Sequence, residues 1–269
     1  MMDKTAFDAV FRAFRFESKH KSYRVLPFSY LAGYNRSQKV SKGKASGIDT
    51  LILYLSPAKS SGFNVCPYAT GHCIKACLAE SGRALLEARA GKSTIRASRI
   101  YKTRFFHINP EHFTRLLFEE IQSASRKAEK RGQSLAVRLN GTSDLSPERF
   151  TTGGLNVLQA FPKVTFYDYT KAPERLALAK KYNNYSVTLS YTGEGLNPSL
   201  CETTLQAGGT VAVVFNGTRL PSRWKGYPVF DGDKNDLRFL DPAGVVVGLR
   251  FKKVARTVDL IANPFIVQP

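Results

Sequence analysis

An α/β fold with mostly parallel strands, curled into a partial or closed β/α barrel after a basic N-terminal extension, is the fold class that this sequence predicts. The chain has 269 residues, of which 43% are hydrophobic, enough for one large domain. From about residue 50, short β-branched or aromatic runs alternate with helical stretches. This alternation is typical of right-handed crossovers between parallel strands. An open doubly wound sheet is the alternative architecture.

Seven segments have the apolar, β-branched composition of buried strands. They are LILYL (51–55), LAVRLNG (135–141), VTFYDYT (164–170), YSVTLSY (185–191), TVAVVFN (210–216), YPVFD (227–231) and VVVGLRF (245–251). Helices are predicted near 83–106, 110–131, 147–160, 173–182 and 198–207. A proline stands at or near the start of three of these helices, where its missing N–H costs nothing: Pro147, Pro173 and Pro198.

Residues 1–49 are predicted to form a basic helical and linker extension to a barrel-like domain of residues 50–269. Residues 1–46 carry ten basic and three acidic side chains, a net charge of +7. The extension opens with apolar residues spaced as on one face of an amphipathic helix: Phe7, Val10, Phe11 and Phe14. A stretch rich in Ser, Gly and Lys follows and predicts a linker.

The whole chain has 40 Lys and Arg against 21 Asp and Glu, a formal charge of +19. This excess favours a polyanionic partner such as nucleic acid. Four basic residues recur at three- and four-residue steps: Arg89, Lys92, Arg96 and Arg99. On one continuous helix they would form a stripe that binds nucleic acid, and a solvated helix face is the alternative.

No apolar run approaches the roughly 20 residues that a bilayer span needs. The first twenty residues lack the pattern of a cleaved signal peptide. Four cysteines are also too few for a disulfide scaffold of this length. We therefore expect no membrane partner and a cytoplasmic location.

Three of the four cysteines, Cys66, Cys73 and Cys77, lie in one loop, residues 62–82, directly after the first predicted strand, with the spacing C-x6-C-x3-C. Three thiolates on one loop favour a 4Fe–4S cluster whose fourth iron is left for another ligand. Zinc is the alternative, although a structural zinc site usually has four ligands. Ordinary buried cysteines are a further alternative. Cys201 is predicted to be a packed helical thiol.

Sites in parallel α/β folds form at the carboxyl ends of the strands. Polar residues follow strand after strand here, and they are the candidate catalytic or pocket residues: Asn140, Asp144, Asp168, Lys171, Asn216 and Asp231. We expect several of them to share one pocket. The sequence leaves two interpretations of Lys171: it pairs with a carboxylate, or it is a solvated lysine at the start of a helix.

The stretch CPYATGHCIKACLAESGR resembles the cysteine signature of the phage gene-product-88-like proteins. VRLNGTSDLSPERF and VTFYDYTK are similar to later stretches of the same family, so the resemblance covers roughly residues 50–215. The chain differs in having Leu78 where the family usually has an aromatic residue. The resemblance implies a phage protein that acts in the host cytoplasm.

A more distant similarity links the cysteine loop to radical S-adenosylmethionine enzymes, which also place three cysteines after the first strand of a partial barrel. It implies that S-adenosylmethionine binds the open iron and that the turn at Asn140, Gly141 and Asp144 holds its methionine moiety. The superfamily's usual spacing, C-x3-C-x2-C, differs from the one found here. The alternative is a non-enzymatic, nucleic-acid-binding protein in which zinc or a cluster folds the loop.

Overall fold

The computed structural model of this chain describes residues 31–34, 46–254 and 257–269. The strands are, in chain order, β1 (Ala32–Tyr34), β2 (Ile48–Leu53), β3 (Ser134–Arg138), β4 (Thr151–Thr152), β5 (Leu155–Asn156), β6 (Thr165–Thr170), β7 (Tyr185–Ser190), β8 (Val211–Phe215), β9 (Arg223–Trp224), β10 (Tyr227–Asp231), β11 (Val246–Arg250) and β12 (Ile266–Val267). β4 and β5 form a separate hairpin. All other strands belong to one sheet.

Nine strands of the main sheet follow the order β1-β2-β3-β6-β7-β8-β11-β10-β9, and β12 pairs with β8. Every pairing from β2 to β10 along this path is parallel. The predicted α/β class with mostly parallel strands is therefore confirmed, and all seven predicted strands are present. Short antiparallel strands, β1 and β9, occupy the two edges. Within the described residues the sheet stays open between these edges, so the closed barrel is not observed.

The helices are α1 (Gly71–Lys75), α2 (Arg83–Arg89), α3 (Thr94–Ile108), α4 (Pro110–Glu129), α5 (Val157–Ala160), α6 (Glu174–Lys181) and α7 (Asn197–Gln206). α4 packs against β2 and β3 because Phe113, Leu117 and Ile121 recur on one face and are fully buried. α6 and α7 cover β7 in the same way. None of the described helices is both long and apolar enough to cross a membrane.

The helix predicted over 83–106 is interrupted. α2 ends at Arg89 and α3 begins at Thr94, and Gly91 in the connection has a φ of +67°, which a continuing helix cannot accommodate. Arg89 and Arg96 therefore lie on different helices. The prediction of one continuous helical stripe is wrong.

The helix predicted over 147–160 is largely wrong as well. A short 3-10 turn, the β4–β5 hairpin and the four-residue helix α5 occupy this segment. Gly153 and Gly154, both with positive φ, make the hairpin turn that ends any helix there. The amphipathic helix predicted near the N-terminus, and most of the linker after it, lie outside the described residues.

β1 lies within the segment predicted as an extension, yet it pairs with β2 and is attached to two helices. Glu120 of α4 accepts hydrogen bonds from the backbone N–H groups of Leu31 at 2.6 Å and Ala32 at 2.8 Å. Lys102 of α3 donates to the Leu31 carbonyl at 2.7 Å. These contacts fix Leu31 and β1 at the edge of the sheet. A domain boundary at residue 49 stays a prediction.

The C-terminal segment, residues 257–269, completes the carboxyl edge of the sheet. β7 pairs with β8 only at the beginning of β8, and β12 pairs with its end, at Val214 and Phe215. A Cβ at Gly193, in the loop after β7, would lie 2.1 Å from the Pro264 carbonyl oxygen, and this glycine has a φ of +75°. The loop after β7 and the C-terminal segment therefore touch where only glycine fits.

Candidate functional site

The cysteine loop lies at the carboxyl edge of the sheet, where it follows β2. The Ala58 N–H donates to the sulfur of Cys66 at 3.4 Å. Thr70 caps α1 by accepting from the Cys73 N–H at 3.2 Å. Cys66, Cys73 and Cys77 are partly buried, and none forms a disulfide. These hydrogen bonds hold Cys66, and the start of the helix that carries Cys73, at one end of the fold.

Cys77 lies close enough to both Cys66 and Cys73 to interact with them electrostatically. Burial raises the pKa of Cys66 to about 12, and the charge of Cys77 contributes to the shift. Burial also raises the pKa of Cys77, with a further contribution from Cys73. Lys171 opposes the shift at both positions. Without an added cation, Cys66 and Cys77 are therefore protonated at neutral pH.

Lys171, just after β6, brings an ammonium group to these thiols. Burial by itself would lower the pKa of Lys171, but Cys73 and Asp144 raise it, and the net shift is upward. Its Nζ donates to the Ser190 hydroxyl at 3.3 Å and lies 5.5 Å from the ring centre of Phe265. The structure thus brings Lys171 together with the predicted cysteine ligands, as a partly buried charged group and not as a fully solvated lysine.

Segments distant in sequence hold the loop from the other side. Phe265 belongs to an apolar cluster against which Cys73 packs. The Asn263 side-chain amide donates to the His72 carbonyl at 3.4 Å. The His72 ring lies 2.9 Å from the Glu194 carboxylate, in the loop after β7. The orientation of Cys73 thus depends on both the C-terminal segment and the β7–α7 loop.

Two of the predicted pocket residues, Asp144 and Asp168, bind Arg175 of α6, and a third, Asn140, binds Asp168. Arg175 is 1% exposed, forms an ion pair with Asp168 at 2.6 Å and also binds Asp144. The backbone and side-chain N–H groups of Asn140 donate to the Asp168 carboxylate, each at 2.9 Å. Burial raises the pKa of Asp168, and Arg175 opposes that shift. These polar atoms serve an internal ion network that supports the site.

Sequence reasoning missed Arg175 because nothing distinguishes it from the other basic residues of its helix. Asp144 was identified, and the structure shows what it positions: it accepts hydrogen bonds from the Thr170 hydroxyl and the Lys171 N–H, both at 2.8 Å. A Cβ at Gly141 would lie 2.5 Å from the Tyr54 ring, so close packing explains this glycine.

Asn216 and Asp231 lie in other surroundings. The Asn216 side-chain amide donates to Gln268 at 3.0 Å. Asp231 pairs with Arg250 at 2.9 Å, and this contact lowers the Asp231 pKa. The six candidates are therefore divided among the Lys171 site, the Arg175 network and two surface contacts. Cys201 is fully buried in α7, as predicted.

Of the four basic residues in the predicted stripe, the structure places Lys92, Arg96 and Arg99 around one cavity of about 160 Å³, between the loop after β2 and helices α2 and α3. Arg89 is exposed and does not line it. A second cavity of about 270 Å³ shares Arg99 and lies beside Tyr54. Burial lowers the pKa of Arg99, whose guanidinium donates to the Ala79 carbonyl at 2.6 Å.

Among the described residues, no three His, Cys, Asp or Glu side chains converge as the ligands of a single metal ion do. All three cysteines are nevertheless near Lys171, because each of them contributes to the electrostatics of its ammonium. What the fold and the site define is an α/β protein with a three-cysteine loop beside a charged lysine at the carboxyl edge of a mostly parallel sheet.

The family model described as Gene product 88 matches residues 30–263, so the chain belongs to the Gene product 88 family. The family resemblance of the cysteine loop is thereby confirmed, and the match extends it to β1 and to most of the C-terminal part. A search of curated proteins and a search of solved structures each find no match.

Proposed function

We propose that this chain is an iron–sulfur protein in which Cys66, Cys73 and Cys77 each bind one iron of a 4Fe–4S cluster. One observation carries the proposal: three partly buried free thiols lie in one loop at the carboxyl edge of the sheet, and Cys73 packs in the same apolar cluster as Phe265, whose ring centre lies 5.5 Å from the Lys171 ammonium. Soft thiolate ligands suit iron–sulfur clusters. The position at the carboxyl ends of parallel strands is where α/β folds place their sites.

Three thiolate donors are the ligand set that suits an iron–sulfur cluster. A cubane takes one thiolate per iron, so its protein ligands stand apart around the cluster. Zinc requires its ligands to converge tetrahedrally on one atom. Zinc as a structural metal is the competing outcome of the metal analysis below.

Lys171 supplies the charge that the site needs. Binding iron requires the protons of buried thiols to leave, and burial makes this unfavourable at Cys66 and Cys77. The ammonium of Lys171 lowers the cost because it stabilises the thiolates. Lys171 is thus a positioning residue that acts on the ligands, while Asp144 fixes its backbone.

S-adenosylmethionine is the second ligand that we propose for this site. Three protein ligands leave one iron of a cubane open, and the loop follows the first parallel strand. The cluster, when bound, would supply the electron that cleaves the sulfonium of S-adenosylmethionine. In this arrangement Asn140 and Asp144 hold the loop after β3, because their polar atoms bind Asp168, Arg175 and the end of β6.

Metal and sulfide analysis after anaerobic purification tests the cluster. We expect about four iron and four sulfide per chain, with absorbance near 400 nm. Substituting Cys66, Cys73 or Cys77 by Ala removes iron, and Cys201→Ala is the matched control because that thiol lies in α7. A colourless protein with stoichiometric zinc, or iron content unchanged in Cys73→Ala, would contradict the proposal.

Cleavage of S-adenosylmethionine by the reduced, cluster-loaded protein tests the enzymatic step separately. We expect product formation that is lost in Cys73→Ala. A fully loaded protein that does not cleave S-adenosylmethionine would leave the cluster as a structural element of a nucleic-acid-binding protein. The net charge of +19 supports nucleic acid as the partner in both cases.

A further inference from the structure

We propose that the cavity between the loop after β2 and helices α2 and α3, here called the phosphate cavity, binds a phosphate group carried by a nucleotide or a nucleic-acid strand. The inference deepens the nucleic-acid part of the proposed function and does not require the cluster. The sequence predicted a stripe of four basic side chains on one helix. The structure instead has a cavity that three of them line, Lys92, Arg96 and Arg99.

The cavity is lined by side chains of the kinds that donate hydrogen bonds to phosphate oxygens. Lys92, Arg96 and Arg99 bring three cations to a space of about 160 Å³. Three serines line the same cavity, Ser56, Ser60 and Ser93. The Ser60 hydroxyl donates to the Pro57 carbonyl at 2.5 Å and lies 2.7 Å from the Ser56 hydroxyl. Arginine forks and hydroxyl groups recur in phosphate recognition because they donate several hydrogen bonds to one tetrahedral anion.

Two carboxylates also line the cavity, Glu80 and Glu87. Glu87 is occupied with the start of α3: it accepts from the Thr94 hydroxyl at 2.7 Å and from the Ile95 N–H at 2.9 Å. The N-terminus of α3 is thus capped by the protein itself. The side-chain cations, which outnumber the carboxylates, are what attracts an anion.

Arg99 is the most rigid of the three cations. Its Nη1 donates to the Ala79 carbonyl at 2.6 Å, and its guanidinium carbon lies 5.4 Å from the ring centre of Tyr54. A guanidinium has five N–H groups, so one bond to Ala79 leaves donors for a ligand. A cation held in place before binding loses little entropy when a ligand arrives.

The phosphate cavity adjoins the cysteine loop. Ala79 and Glu80, which follow Cys77 in a short 3-10 helix, form part of its wall. Arg99 is also close enough to Cys77 to affect its pKa. A nucleoside attached to a phosphate in this cavity would therefore lie beside the Cys77 side of the proposed cluster.

Isothermal titration calorimetry of the full chain, prepared without metal, tests the cavity with three probes: inorganic phosphate, adenosine monophosphate and a single-stranded oligonucleotide. We expect saturable binding of phosphate and adenosine monophosphate that Arg96→Ala weakens about tenfold, because charge-assisted hydrogen bonds are lost. Arg96 is exposed, so its removal leaves the fold intact, which circular dichroism verifies. Ser60→Ala should weaken binding less.

Arg89→Ala separates the cavity from a simple basic surface, because Arg89 is an exposed arginine on the neighbouring helix outside the lining. Lys130→Ala, at the opposite end of the sheet, controls for net charge. Tighter binding of the oligonucleotide than of adenosine monophosphate identifies a strand as the source of the phosphate, and the reverse identifies a free nucleotide. No binding of any probe, or equal losses in Arg89→Ala and Arg96→Ala, would overturn the proposal. Iron content stays the separate test of the cluster.

Discussion

Lys171 connects the electrostatics of the site to its geometry, because its ammonium is held by a hydrogen bond to Ser190 and lies close enough to the three cysteines to interact with them. Replacing Lys171 by Met removes the positive charge that opposes the burial-induced rise in the pKa of Cys66 and Cys77. In the metal-free variant we expect both thiols to react with iodoacetamide at pH 9 at about one third of the native rate or more slowly, since only the thiolate reacts. Peptide mass spectrometry at successive times measures this.

Lys171→Arg is the matched variant, because it keeps the positive charge in a different shape. It should retain most of the reactivity that Lys171→Met loses. Equal rates in the native protein and Lys171→Met would show that the ammonium does not act on the thiols, and the role proposed for it would be withdrawn.

Arg175 neutralises two buried carboxylates, Asp144 and Asp168. Arg175→Met would leave both without a cation and should lower the free energy of unfolding by about 3–5 kcal/mol at neutral pH. Burial raises the Asp168 pKa, so Asp168 contributes favourably in acid, and this contribution is lost as pH rises through the folded-state pKa. Without Arg175 the Asp168 pKa rises further. The stability that Arg175→Met loses relative to the native protein should therefore grow from about pH 4 toward pH 7.

Urea denaturation at the two pH values measures this difference. Lys180→Met, on the same helix as Arg175, controls for the loss of a basic side chain elsewhere in α6. A deficit in Arg175→Met that is equal at both pH values would indicate a loss of packing and not of charge.

Among the elements, β1 shows how a short edge strand is retained. Three residues make few ladder hydrogen bonds, and the Glu120 carboxylate adds two more through Leu31 and Ala32. Glu120→Ala should therefore lower stability by about 1–2 kcal/mol and increase hydrogen exchange at the β1 amides. Glu119→Ala, an exposed neighbour, should change neither. Unaltered exchange at β1 in Glu120→Ala would show that strand pairing alone holds it.

The cysteine loop and the C-terminal segment form a second pair of elements that depend on each other. Phe265 packs in the same apolar cluster as Cys73, and Asn263 donates to the neighbouring His72 carbonyl. Residues almost 200 positions apart thus fix one ligand of the proposed cluster. Spacing within the loop cannot reveal such a contact.

For the whole molecule, the formal charge of +19 predicts binding to nucleic acid that depends strongly on salt. If Lys92, Arg96 and Arg99 each neutralise one phosphate of a single strand, raising salt from about 50 to 200 mM should weaken binding about twentyfold. Arg96→Ala should reduce the magnitude of the logarithmic slope by about 0.7. Fluorescence anisotropy with a labelled oligonucleotide measures both. Affinity that does not change with salt would exclude phosphate contacts as the source of binding.

The sequence by itself determined the α/β class, the seven core strands and the family. β-branched runs at regular spacing indicate strand propensity and burial, and the folded chain has both at these segments. The cysteine loop could be recognised because its three cysteines lie within twelve positions of one another. The two helix predictions failed at glycines with positive φ, Gly91 and the Gly153–Gly154 pair, where one backbone angle outweighs the propensity of the neighbours.

The tertiary structure decided which polar residues meet. It placed Lys171 near the thiols. It brought Asn140, Asp144 and Asp168 into the ion network of Arg175. It also left Arg89 outside the phosphate cavity. These outcomes follow from strand order and from the direction in which each side chain leaves its element. Both arise from contacts between residues far apart in the chain, which local composition does not encode.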